Sequence, residues 1–179
     1  MAVRPRAAQC GPTETMNQVR KTASSDTPMP EIKTEFLFTL ALELEVSNLG
    51  NMPYGTRRVG RFVAGSFDGP KVKGMVLPGG ACWMLLRSDD VLEIEARITL
   101  ETDDKQQIHM SWKAFRHGPK EVIDRLNRSE IVDAETYYFR ATPYFETSSG
   151  KYSWMNRICS IATGSRTAGK RTFDVFQVL

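Results

Sequence analysis

Between Leu92 and Glu101 the chain alternates without a break. Leu92, Ile94, Ala96, Ile98 and Leu100 fall on one side, and Glu93, Glu95, Arg97, Thr99 and Glu101 on the other. Successive side chains of a strand point to opposite faces, so a period of two means a strand with one buried and one polar face. A second long run does the same. Phe36, Phe38, Leu40, Leu42 and Leu44 alternate with Leu37, Thr39, Ala41, Glu43 and Glu45. Further β-like runs cover 57–67, 71–77, 81–87, 107–116, 136–142, 143–147, 152–163 and 171–178, rich in aromatic and β-branched residues. Turn chemistry separates them at Asn48-Leu49-Gly50-Asn51, Asp68-Gly69-Pro70, Pro78-Gly79-Gly80, Ser88-Asp89-Asp90 and Thr102–Lys105. One helix is expected after Pro119, with Glu121 and Asp124 early, Arg125 and Arg128 late, and Val122, Ile123 and Leu126 as its apolar stripe.

Eight to ten strands joined by short turns must be antiparallel neighbours, because parallel strands need long crossovers. In one domain they form a sandwich or a closed barrel, and strands of about eleven residues or more favour the tilted barrel. The fold expected is all-β, a closed antiparallel barrel over residues 31–179. Residues 1–30 are rich in Thr, Ser and Pro, show no period, and are expected to be a disordered tail.

The charge balance narrows the partners. Lys and Arg number 24 against 21 Asp and Glu, a net +3. Arg4, Arg6, Arg20 and Lys21 against Glu14 and Asp26 place most of that excess in the tail. The near-neutral remainder has no electrostatic footprint for nucleic acid. No apolar run approaches the ~18 residues of a membrane span. Cys10, Cys82 and Cys159 are an odd set without CxxC spacing, which points to reduced thiols and a cytoplasmic protein.

No strong catalytic motif occurs: no GxGxxG, P-loop, HExxH or GxSxG. His109 and His117 lie eight apart with no ligand spacing, so no metal and no dissociable cofactor are expected. The polar face of 92–101 is the best lead. Pointed into a barrel, it would place Glu95 where desolvation raises a carboxyl's pKa, and Arg97 where it could hold a carboxylate or enolate oxygen. Periodicity alone favours the opposite arrangement, with the Leu/Ile face inside and the charges solvated. Tyr138 shares a face with Arg140, and Tyr152 with Trp154 and Asn156; such side chains suit a ligand cavity and equally a core or rim. Trp83 is a pocket wall or plain packing. Of Arg57 and Arg58, which follow a turn, one would guard the barrel mouth and the other be solvated.

Several local sequences resemble one family. These are Pro53-Tyr54-Gly55-Thr56-Arg57-Arg58, Gly65-Ser66-Phe67-Asp68-Gly69-Pro70, Gly74–Trp83 (GMVLPGGACW), Tyr137-Tyr138-Phe139-Arg140, Phe145-Glu146-Thr147 and Tyr152–Arg157 (YSWMNR). Together they resemble the DUF3237 (UPF0311) family over about residues 32–179. The resemblance implies an antiparallel, lipocalin-like β-barrel and no general activity. Arg97 matches an arginine of the family pattern. Cys82 stands where that pattern usually has aspartate, and Lys105 where it commonly has a turn glycine.

Three functional readings follow. The first is a cofactor-independent isomerase, cyclase or dehydratase working by proton transfer on an organic acid or ketone. There Glu95 and Tyr138 exchange protons, Arg97 and Arg140 hold the anion, Trp83 and Trp154 wall the pocket, and Arg57 and Asn156 contact the substrate. The second is a carrier of an apolar or aromatic ligand. The third is an assembly protein with a packed barrel. The partner expected is a small organic ligand, with a second copy of the chain as an option, and neither nucleic acid nor membrane.

Overall fold

Eight strands follow one another around a closed antiparallel barrel. They are β1 (Thr34–Met52), β2 (Gly55–Asp68), β3 (Gly74–Leu86), β4 (Leu92–Thr102), β5 (Gln107–His117), β6 (Tyr138–Glu146), β7 (Ser160–Thr167) and β8 (Lys170–Val178). The structure is a computed structural model that describes residues 31–167 and 170–179, so the expectation for residues 1–30 lies outside the described residues. Closure depends on β1, whose first part pairs with β8 while its second pairs with β2. At the crossing, Thr39 lies opposite both Asp68 and Asp174, and its hydroxyl donates to Asp174 Oδ1 at 2.6 Å.

Alternation decides what the barrel encloses. In β4, Leu92, Ile94, Ala96, Ile98 and Leu100 are all buried, while Glu95 and Arg97 are exposed. β5 contributes Ile108, Met110, Trp112 and Ala114 to the interior, and β6 contributes Phe139, Ala141 and Phe145. β1 departs from strict alternation. A bulge between Phe36 and Phe38 leaves Phe36 exposed and buries both Leu37 and Phe38. An extra residue in one strand reverses the phase on either side of it.

The Pro78-Gly79-Gly80 segment, expected to be a turn, is an irregularity within β3. Pairing with β4 breaks between Leu77 and Ala81 and then resumes, and Gly79 takes φ +108°. The runs expected at 136–142 and 143–147 likewise merge into one strand, β6 (Tyr138–Glu146), preceded by a 3-10 turn over Ala134–Thr136. Residues 153–157, expected to be extended, form a 3-10 turn before β7.

The barrel's two ends differ. At the end that holds the β2–β3, β4–β5 and β6–β7 connections, Phe38 packs edge-on against Phe67 and Phe145, with ring centroids 5.5 and 5.9 Å apart. Leu37, Leu100, Ile108 and Met155 are fully buried with them. The opposite end holds the helix α1 (Lys120–Asn127), in the β5–β6 connection. Its apolar stripe is as expected: Leu126 is fully buried in the barrel core, with Val122 and Ile123 packed against it. Burying a leucine contributes about 1.5–3 kcal/mol, enough to hold so short a helix on the barrel. Among the described residues no helix is long and apolar enough to cross a membrane.

Candidate ligand-binding site

The end that holds α1 opens into a cavity of about 410 Å³. Its walls are apolar and partly aromatic, with Leu42, Met84, Ile94, Phe62, Trp112, Phe139 and Phe173 among them. The rings form a chain: Phe62 lies 5.9 Å from Trp112, Trp112 5.9 Å from Phe173, and Phe173 5.0 Å from Phe139. Four arginines share this space, namely Arg58, Arg116, Arg166 and Arg171, and no Asp or Glu is among the lining residues.

Each arginine arrives on the inward phase of a different strand. Arg116 continues the series Ile108, Met110, Trp112, Ala114 on β5, and Arg171 precedes Phe173 and Val175 on β8. Arg58 is two residues from Gly60 and four from Phe62 on β2, and Arg166 two from Gly164 on β7. Sequence reasoning assigned none of the four to the site: it chose Arg57 as the substrate contact, and Arg58 entered only as the neighbour, one or the other of which would guard the mouth. The available signal was a cation in phase with an apolar alternation, which a strand with a solvated face does not produce.

Electrostatically the four are one cluster. Arg116 is only 9% exposed, and desolvation, reinforced by the charges of Arg166, Arg171 and Arg58, pushes its pKa down to about 10. Desolvation also lowers Arg166 and Arg171, and each is lowered further by another arginine of the set. At about 10, Arg116 remains a cation at neutral pH. Arg116 Nη2 lies 3.5 Å from Asn127 Oδ1 at the end of α1, a long contact, and its Nε has no hydrogen-bond partner. The Trp112 indole N–H is also buried without a partner. An unmade buried hydrogen bond costs about 1–3 kcal/mol, and a buried charge without a counter-charge costs more. Strained polar groups of this kind concentrate where a ligand supplies the missing partner.

Cys82 also lines the cavity, at 3% exposure. Burial raises its thiol to about 11, so it is neutral and a poor nucleophile at physiological pH. Gly60 lets the strands close around it, since a Cβ there would lie 2.6 Å from Cys82 Sγ and 2.4 Å from Leu44 Cδ1.

The residues singled out from the sequence lie elsewhere. The polar face of β4 points outward, so Glu95 and Arg97 flank a shallow surface groove with Ser111, Lys113, Thr142 and Tyr144. Trp83, 44% exposed, is opposite Glu95 on that outer surface. Tyr138 and Arg140 are on the outer face of β6, where Tyr138 stacks on His117 at 4.8 Å and Arg140 sits over the Tyr138 ring. Trp154 packs partly buried against the core, and Asn156 is exposed and bonded through its amide to the Thr147 backbone. Of the two adjacent arginines, Arg58 lines the cavity and Arg57 does not. The arrangement brings Glu95 and Arg97 together, but outside the barrel, and it does not join them to Tyr138. Alternation fixes this outcome: the barrel interior takes the apolar set of β4 and leaves the charged set in water. Among the described residues no three His, Cys, Asp or Glu side chains group as a metal site.

A family model described as a protein of unknown function (DUF3237) matches residues 32–178. The UPF0311 protein RPA1785 of Rhodopseudomonas palustris is 33% identical over 151 residues, 84% of this chain and 99% of that protein. Its crystal structure superposes with a TM-score of 0.81, covering 84% of this chain and 100% of that one. A β-barrel-like protein of Acinetobacter baumannii is 34% identical with a TM-score of 0.74, over 86% of this chain and 99% of the other. The crystal structure of an enzyme from Penicillium herquei has a TM-score of 0.63 at 18% identity, over 84% of this chain and 98% of that one, and shares the fold alone.

Proposed function

The chain belongs to the DUF3237 family, and we propose that this member binds a small organic anion with an apolar or aromatic body inside its barrel. The observation that carries the reading is the set of four inward arginines without an acidic residue in the cavity wall. Arg116 is buried and the other three are partly buried. A cation taken out of water carries a desolvation cost that an anionic ligand offsets. Guanidinium forks match carboxylates bidentately. The ring-lined remainder of the cavity suits the body of such a ligand.

Of the sequence readings, a carrier fits this cavity better than proton transfer between Glu95 and Tyr138. Those two side chains are on the outer surface, where water screens them. A second reading keeps catalysis but moves it inside. A carbonyl substrate whose enolate or phenolate oxygen meets the buried Arg116 would have that charge stabilised in a low-dielectric site. The unpartnered Arg116 Nε favours this reading. The two free thiols among the described residues, Cys82 and Cys159, suit a reducing compartment such as the cytoplasm.

Thermal-shift measurements on matched acids and amides test the proposal. Naphthalene-2-carboxylate should raise the unfolding midpoint by several degrees at saturating concentration, and naphthalene-2-carboxamide should not. Equal shifts for both would remove the anionic requirement. Consumption of a bound acid or ketone would distinguish catalysis from carriage.

A further inference from the structure

We propose that the ligand is an aromatic oxo acid, whose ketone oxygen accepts from the indole N–H of Trp112 while arginine holds its carboxylate. This rests on reading the cavity as an organic-anion site and adds a second polar contact to it. Trp112 lines the cavity on the inward phase of β5, between Met110 and Ala114. The side chain is 6% exposed, and its N–H is buried without a hydrogen-bond partner. The rings of Phe62 and Phe173, each 5.9 Å away, bring no oxygen to it. An unpaired buried donor is costly, and an indole can only donate, so an acceptor atom completes it.

The strand sets the two contacts at different depths. β5 runs from the packed end to the end that holds α1, and Arg116 is four residues beyond Trp112 on the same face. Arg116 therefore stands roughly 13 Å nearer the opening along the strand. The wall also selects the kind of acceptor. Among the lining side chains Asn127 alone carries an oxygen, and that oxygen lies 3.5 Å from Arg116 Nη2. Cys82 offers only a weak sulfur acceptor. Asp89, Asp90 and Asp124 line the adjoining hollow and not this one. A hydroxyl at Trp112 would accept from the indole and leave its own hydrogen unpaired, whereas a ketone oxygen carries no hydrogen.

Calorimetric titration of the full chain tests this with two matched pairs, 4-benzoylbenzoate with 4-benzylbenzoate and 9-oxofluorene-2-carboxylate with fluorene-2-carboxylate. In each pair a ketone replaces a methylene on the same frame. In one pair or both, the oxo acid should bind about tenfold or more tightly than its partner. Trp112→Phe, checked for retained β-structure by circular dichroism, keeps a ring and removes the N–H. It should abolish the preference and change the methylene acids by less than about threefold. Nuclear magnetic resonance of the parent protein gives a second readout. The Trp112 indole proton, assigned by elimination with Trp83→Phe and Trp154→Phe, should move downfield with the preferred oxo acid and not with its methylene partner. No preference in either pair, or a preference that survives Trp112→Phe, would overturn the oxo acid, and binding of naphthalene-2-carboxylate would then leave the anion site standing. If no acid binds, both readings fall.

Discussion

Arg166 and Arg171 lie directly opposite each other on the β7–β8 ladder, and both line the barrel cavity. Like charges in opposed positions of a strand pair destabilise it by roughly 0.2–1 kcal/mol, and desolvation adds to that cost. Replacing Arg166 by methionine keeps the bulk and removes the charge. The free protein should gain about 1 kcal/mol, a rise of about 2–4 °C in its midpoint. It should also lose most of the stabilisation that a bound aromatic acid confers. A less stable Arg166→Met protein would mean that the pair serves the fold and not a ligand.

The buried thiol gives a prediction in two parts. With its pKa near 11, Cys82 should resist iodoacetamide in the native protein while exposed Cys159 reacts. Peptide mapping after labelling reads this out, and modification of Cys82 at the rate of Cys159 would contradict it. Cys82→Asp would put a carboxylate in the same wall as the arginines. That internal counter-charge should weaken binding of aromatic acids by about tenfold or more.

Gly164 is a packing site for the cavity wall. A Cβ there would lie 2.5 Å from Phe139 Cδ1, and Phe139 packs in turn on Phe173. Gly164→Ala should therefore cost about 1–3 kcal/mol in denaturant unfolding and shift both rings. An unchanged midpoint would show that Phe139 relaxes freely.

At the packed end, Asp104 joins the β4–β5 turn to the β6–β7 connection. It pairs with Lys151 Nζ at 2.7 Å and accepts from the Thr102 and Tyr152 hydroxyls. The Lys151 hydrogen bond, followed by those of Thr102 and Tyr152, lowers its pKa to about 2. A depressed carboxyl contributes stability that is present above its unfolded pKa, near 4, and is lost as pH falls through the folded value. Asp104→Asn should thus flatten the loss of stability between about pH 4 and pH 2. A parallel decline in both proteins would show that the cluster adds nothing there.

The barrel was legible because its signal is local. The alternation of Leu92–Leu100 specifies a strand, and the short turns specify antiparallel neighbours. Irregularities were harder to read. The β1 bulge at Leu37 and the break in β3 at Gly79 are set by the partner strand, and neither has a period of its own. The site was less legible for a related reason. Glu95 and Arg97 carry the conspicuous chemistry, but it lies on the side of β4 that apolar residues exclude from the core. Arg116 and Arg171 stand near the ends of their strands, and only barrel closure brings β2, β5 and the β7–β8 pair around one space. Their phase with Trp112 and Phe173 was the readable clue.

A crystal structure of the protein with naphthalene-2-carboxylate is the most direct measurement. The ring should lie between Phe62, Trp112, Phe139 and Phe173, with the carboxylate within hydrogen-bond distance of Arg116 or of the Arg166–Arg171 pair. Ligand found instead in the outer groove of Glu95 and Arg97, with the barrel interior occupied only by water, would contradict it.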